Sequence, residues 1–187
     1  MSRFLKYGGL VASIVLIAFG IGAVYTGVDG RERVQSDLAR ERIVGTPDSA
    51  IPGRLVDSGS EAQAFAATIR RHTLAATGGQ TYAQMPRFLD ERGLGTNDEA
   101  AAAVDPRSGE PVANPARNIW VTSTALQTAL NTAYFAEGMA TFAIVMGIAM
   151  LLSGAGFLVL TLRVLREPIA QARPASQAAS GQQAVTA

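Results

Sequence analysis

The side chains able to do chemistry are few and scattered. His72 is the only histidine, and it follows Arg70 and Arg71. A metal site on a helix wants a second ligand three or four residues away. Those positions hold Thr68, Ile69, Ala75 and Ala76, none of which is a carboxylate or imidazole. His72 is therefore read as a surface or half-buried structural residue, with pH sensing as the role that histidine chemistry leaves open. Asp90-Glu91 and Asp98-Glu99 are acidic pairs that could share acid–base work if the fold joined them. A simpler use for Asp98 and Glu99 is to favour the start of a helix through its dipole. The chain has no cysteine, which removes disulfides, thiolate nucleophiles and Cys-ligated metals. It has no Gly-x-Ser-x-Gly, no His-x-x-x-His and no glycine loop of the kind that cradles phosphate. The expectation is a protein with no catalytic residue, no cofactor and no metal.

The elements that would carry these residues are dominated by two apolar runs. Of the 187 residues, 48% are hydrophobic and 17% charged, and the net charge of +1 argues against a nucleic-acid binder. Between Arg117 and Arg163 the only ionisable side chains are Tyr134 and Glu137. Gly138 to Leu162 is about 25 residues without a charge, against roughly 20 needed to cross a bilayer as a helix. A first run from Tyr7 to Val28 is about 22 residues long and meets the same requirement. Tyr7 and Tyr25 stand about 27 Å apart along such a helix, suited to opposite interfaces. A signal peptide would have a shorter apolar region and a small-residue cleavage site, and the exit here reads Tyr25-Thr-Gly-Val-Asp-Gly.

Arg3 and Lys6 precede the first run, and Arg163, Arg166 and Arg173 follow the second. The positive-inside rule then places both termini in the cytoplasm and residues 29–137 outside. That outer part carries eleven arginines against fourteen carboxylates, too long a loop for its charges to set topology. Asp29 to Val44 continues the first helix as a stalk, with Asp29, Arg33 and Asp37 at i,i+4 spacing, until Gly45-Thr-Pro-Asp caps and stops it. Ser58-Gly-Ser-Glu61 is a capping box opening a helix from about Gly59 to Thr77, ended by Gly78-Gly79. Met85 to Phe88 reads as a turn. Thr96-Asn-Asp-Glu99 is a second capping box before a short Ala-rich helix to about Val104, and Asp105 to Pro111 is a turn or hairpin tip.

Asn114-Pro115 supplies an N-cap and a first-turn proline for one long helix through the second span. Its first half has an apolar stripe (Ile119, Leu126, Leu130, Tyr134) and a polar one (Thr124, Gln127, Asn131). Such a surface suits packing on the Asp29–Val44 stalk, and Trp120, Thr124, Gln127 and Asn131 form a candidate partner or packing face. Trp120 would anchor the head or sit at the interface. In the spans, Ala18 and Gly22, then Ala143 and Gly147, are small residues four apart, which lets helices approach closely, either the two spans or two copies. Neither span holds Asp, Glu, Lys, Arg or His, which argues against a proton relay or an ion transporter.

Phe4–Val28, Ile43-Val-Gly-Thr-Pro-Asp48, His72-Thr-Leu-Ala-Ala-Thr-Gly-Gly79, Thr81-Tyr-Ala-Gln-Met-Pro-Arg87, Thr96–Ala101 and Asn114–Arg163 resemble an uncharacterised family of actinobacterial two-span membrane proteins. The resemblance covers most of the chain except its ends, and the Ile43–Ser60 segment is shorter here than in many members. It implies two membrane helices and carries no established activity. Proteins of this kind are often described as aromatic ring-opening dioxygenases. A non-haem iron site takes two His and a carboxylate, or a similar set, and this chain has one His.

The sequence thus predicts an all-α membrane protein of a bacterial plasma membrane. Its parts are a cytoplasmic N-terminus (1–6), a transmembrane helix (7–28), an extracytoplasmic head with long helical stalks (29–137), a second transmembrane helix (138–162) and a disordered cytoplasmic tail (163–187). The expected role is non-catalytic: a structural or accessory envelope subunit whose partners are the bilayer and a membrane or envelope protein, or a second copy, but not nucleic acid. The alternatives are a head that senses an extracytoplasmic ligand or signal, and an enzyme.

Overall fold

The computed structural model describes residues 2–166, and side chains from 7 to 163. The tail expected to be disordered lies outside the described residues from 167 onward, as do the side chains of Arg3, Lys6, Arg166 and Arg173. Two helices dominate: α1, Ser2–Glu41, and α3, Pro115–Arg166. Both are long and apolar enough to cross a membrane. In the most apolar stretch of each, only 17% and 11% of the residues are buried, which is not how the core helix of a soluble protein behaves. Phe19, Phe142 and Leu152 lie 69%, 59% and 70% exposed.

Residues 20–149 form one compact unit and the distal ends of α1 and α3, up to Phe19 and from Met150, form another. Within the distal unit the helices run antiparallel and touch at glycines. A Cβ on Gly154 would lie 2.8 Å from Ile17, and one on Gly9 would lie 2.6 Å from the Thr161 hydroxyl. Ser13 is fully buried there and donates to the Gly9 carbonyl at 2.7 Å. Thr26 and Thr141 bond to carbonyls one turn back in the same way, so these hydroxyls need no outside partner.

In the larger unit α1 and α3 are again antiparallel. A Cβ on Gly27 would lie 2.7 Å from the Ala140 carbonyl, and one on Gly147 would lie 2.8 Å from the Gly20 carbonyl. This seam has room for hydrogen and nothing larger. Beyond it, α2 (Gly59–Ala76) packs against both helices. Its capping box forms with a variation: Ser58 accepts from the Glu61 amide, and Glu61 accepts from the Ser58 hydroxyl and the Asp57 amide. Arg54 pairs with the same carboxylate. The core of the head joins Leu38 of α1, Ala62 and Ala66 of α2, Leu130 of α3, and Ile51 and Val56 from the α1–α2 loop. Burying each of its leucine, isoleucine and valine side chains contributes about 1.5–3 kcal/mol. The apolar stripe of α3 therefore meets the stalk at Leu130, whereas Ile119, Leu126 and Tyr134 stay 44%, 52% and 43% exposed.

Three local expectations need correction. Helix α1 ends at Glu41, not Val44, and the left-handed residue is Arg42 (φ 51°) rather than Gly45. Gly45 serves a different need: a Cβ there would collide with the Ile51 carbonyl, across a loop held by Gly45 N–H to Arg54 O at 2.8 Å. The head is also not all helix. Strand β1 (Phe88–Leu89) pairs antiparallel with β2 (Gly95–Thr96). The Ala-rich segment makes only a 3-10 turn, Glu99–Ala101, capped by Asp98. It stops because the Ala103 amide donates to Leu89 O at 2.9 Å and the Ala103 carbonyl accepts from Val112 at 2.8 Å, which holds the chain extended. The expected turn at Asp105–Pro111 forms, with Asp105 N–H donating to Glu110 O at 2.9 Å. Asn114 caps α3 by accepting from Ala116 N–H at 3.1 Å.

Candidate functional site: a helix-lined groove above a buried carboxylate

Glu137 is the residue before the apolar run of α3, and it is 8% exposed. One carboxylate oxygen accepts from Arg31 Nε at 3.0 Å and from Gln35 Nε2 at 2.9 Å. The other accepts from the Gly59 amide, at the first position of α2. The four-residue spacing of Arg31 and Gln35 puts both on the face of α1 that meets α3. Gly59 is required for the approach of α2, since a Cβ would lie 2.9 Å from Tyr134 Cα. Burial pushes the Glu137 pKa up, but the donors Gly59 N–H, Gln35 and Arg31 outweigh it and hold the carboxyl below its ordinary value. One anion thus pins the start of α2 to both long helices.

Beside this node, α1, α2 and α3 line an open groove. The groove has a volume of about 640 Å³. Val34 and Leu38 of α1, Phe65 and Ile69 of α2, and Leu130 and Ala133 of α3 line it. At its lip stand Asp37 and Glu41, and among the described residues no lysine or arginine lines it. The surface is apolar and open, suited to apolar contact, and among the described residues no convergent set of polar groups stands there to hold a reacting molecule.

The residues singled out from the sequence fall in several places. His72 faces Asp48, whose carboxylate lies 2.6 Å from His72 Nε2 and 2.8 Å from Arg71 Nη2, with Thr46 donating to the other oxygen at 2.8 Å. All three charged or titratable partners are about half exposed. Hydrogen bonds from His72, Arg71 and Thr46 hold the Asp48 carboxyl well below the usual carboxylate range. Asp90 closes its own loop, accepting from the Arg92 and Leu94 amides at 2.9 and 2.8 Å. Asp98 caps the 3-10 turn by accepting from Ala100 N–H at 3.0 Å. Among the described residues no group of three or more His, Asp or Glu could hold a metal ion.

Trp120 lies in the head, half-buried, with the Arg70 guanidinium 5.8 Å from its ring centre. Gln127 is half-buried and donates to Ser123 O at 3.2 Å, while Thr124 and Asn131 are exposed. Of the small residues, Gly147 is buried against α1 and Ala143 is half-buried, whereas Ala18 and Gly22 are exposed, with nothing within 4 Å of a Cβ on Gly22.

No family model, no curated protein and no solved structure matches the chain.

Reasoning from sequence missed Glu137 and Asp48. Glu137 had a signal: it is the sole carboxylate between Arg117 and Arg163, at the edge of an apolar run, where an anion needs a partner. Asp48 had none within reach of helix spacing, because it lies 24 residues from His72.

Proposed function

We propose that the chain is a two-span protein of a bacterial plasma membrane and acts as a non-catalytic accessory or scaffolding subunit. In this reading α1 and α3 each cross the bilayer once, both ends lie in the cytoplasm, and residues 29–137 stand outside and bind a partner. The reading rests above all on the uncovered apolar surface of both long helices, where only 17% and 11% of the residues in the most apolar stretches are buried. Water would not tolerate that surface, and a bilayer would cover it. The open apolar groove in the head supports a binding role over a catalytic one. His72 sits with Asp48 on the surface, and Asp90 and Asp98 are engaged in local turns and caps.

Two experiments test this. The chain has no cysteine, so Ser108→Cys alone can be labelled with a membrane-impermeant maleimide on intact cells. Labelling at Ser108 and none for Ser2→Cys is the expected outcome, and the reverse would invert the topology. The tagged protein is then solubilised from its native membrane and its mass and co-purifying proteins determined. A stoichiometric envelope protein is expected. A lone monomer would overturn the accessory role.

A further inference from the structure

The groove has the form of a helix bundle with one position open. Each wall is a single stripe at helical spacing: Val34 and Leu38 are four apart, Phe65 and Ile69 are four apart, and Leu126, Leu130 and Ala133 follow i, i+4, i+7. Three such stripes converging on one void of about 640 Å³ leave the place that a fourth helix fills in a four-helix bundle. Leu126 to Ala136 covers about 15 Å of axis, nearly three turns. Along it Ala129, Ala133 and Ala136 present single-carbon side chains, so a backbone could approach α3 closely.

Charge narrows the occupant. The lip carries Asp37 and Glu41 on the α1 side, and the one cation beside it is Arg40, paired with Asp37, so its net charge among the described residues is negative. Asp37 shares its charge with Arg40, while Glu41 makes no ion pair among the described residues. A phospholipid with an anionic headgroup, entering by its acyl chain, would bring like charge against these carboxylates. A second copy docking groove to groove would face void with void and like charge with like charge. A helix with an apolar face and basic residues along one edge satisfies both the walls and the lip.

We propose that the groove receives an amphipathic helix of a partner protein, with its arginine or lysine edge running along Asp37 and Glu41. The proposal rests on the accessory reading above and names the kind of segment the partner supplies.

The test uses the full chain in nanodiscs with a dye on Thr132→Cys, the only thiol and a residue of the groove wall. The probes are two synthetic helical peptides of about 18 residues, long enough to hold helix. Both carry leucines at i, i+4, i+7, one with an arginine edge and one with glutamate there. Saturable binding of the arginine peptide is expected, at least tenfold tighter than the glutamate peptide. Asp37→Lys with Glu41→Lys should reverse the preference, and Ala129→Trp should abolish binding by filling the void. Ala129 and both acids are exposed, so these variants leave the core untouched. No binding of either peptide, equal binding of both, or binding that survives Ala129→Trp would overturn the proposal. So would native mass spectra in which Ala129→Trp expels a bound phospholipid, or a groove-dependent dimer. If Ala129→Trp still retains the native partner, the groove proposal falls while the accessory reading stands. If the wild-type chain retains no partner at all, the accessory reading falls whatever the peptides do.

Discussion

Glu137 and Asp48 receive the same kind of help. Each is a carboxylate with an arginine, a second polar side chain and a further donor around it, and each is held below its ordinary pKa. They differ in where they stand. The Glu137 side chain is 11% exposed and joins three helices, whereas that of Asp48 is 52% exposed and joins a loop to α2. Equal hydrogen-bond counts are therefore not equal contributions. Water competes for every donor at Asp48, and salt screens its charges. At Glu137 the buried Gly59 amide has no water to replace the anion, so losing it leaves that donor stranded, while half-exposed Arg31 can be hydrated. The buried site holds the architecture together, and the exposed one trims a loop.

The sharpest way to break this comparison is Glu137→Ala. Removing one partner of a buried pair costs about 3–5 kcal/mol, and the half-exposed Arg31 should moderate that to about 2–3 kcal/mol. The loss is read from thermal unfolding in detergent by circular dichroism. Glu137→Gln keeps an acceptor for the Gly59 amide and should lose less. If Glu137→Ala melts with the wild type, the carboxylate is not the node its geometry suggests.

The same contrast of enclosed and open surface applies to glycine. Gly147→Leu must push apart backbones that leave no room for a Cβ, at about 1–3 kcal/mol. Gly22→Leu points into open space and should leave the unfolding midpoint unchanged. Equal effects of the two would mean that α1 and α3 meet on other faces.

How much of this was legible in the sequence depends on the range of the interaction. The start of α2 followed from Ser58 and Glu61, and that of α3 from Asn114 and Pro115, because a cap is local chemistry written within four residues. The apolar runs announced both long helices by length alone. The β1–β2 pair was hidden because two-residue strands have no periodicity, and the Ala-rich segment lost its helix to partners at Leu89 and Val112. The groove was hidden for the same reason. Its stripes at Val34, Phe65 and Leu130 each read as ordinary helix faces until the fold sets them around one space.

Acid should separate the two carboxylates next. Both folded-state pKa values are lowered, so each group stabilises the fold at pH above its unfolded value and loses that contribution as pH falls through its folded value. For Glu137 the window opens below its ordinary 4.5. The Asp48 shift carries its window further into acid. Unfolding midpoints followed from pH 6 to about pH 3 should fall for the wild type and fall less for Glu137→Gln, which has no proton to take up. Identical slopes would assign the acid sensitivity elsewhere, with Glu61 the next buried carboxylate to test.

Asp48→Asn is expected to do least. The amide oxygen still accepts from Arg71 or His72, the site is open to water, and exposed ion pairs contribute little. The global midpoint should stay within about 2 °C of the wild type. What should change is local. Thr46 and Ser49 form a turn in which Ser49 N–H and its hydroxyl both donate to the Thr46 carbonyl, at 2.9 and 2.7 Å, and Asp48 ties that turn to α2. Amide hydrogen exchange at residues 46–51 should therefore quicken while that of α2 stays unchanged. If α2 amides quicken as well, the Asp48 cluster reaches into the core, and the division between a buried anchor and a surface clip would have to be redrawn.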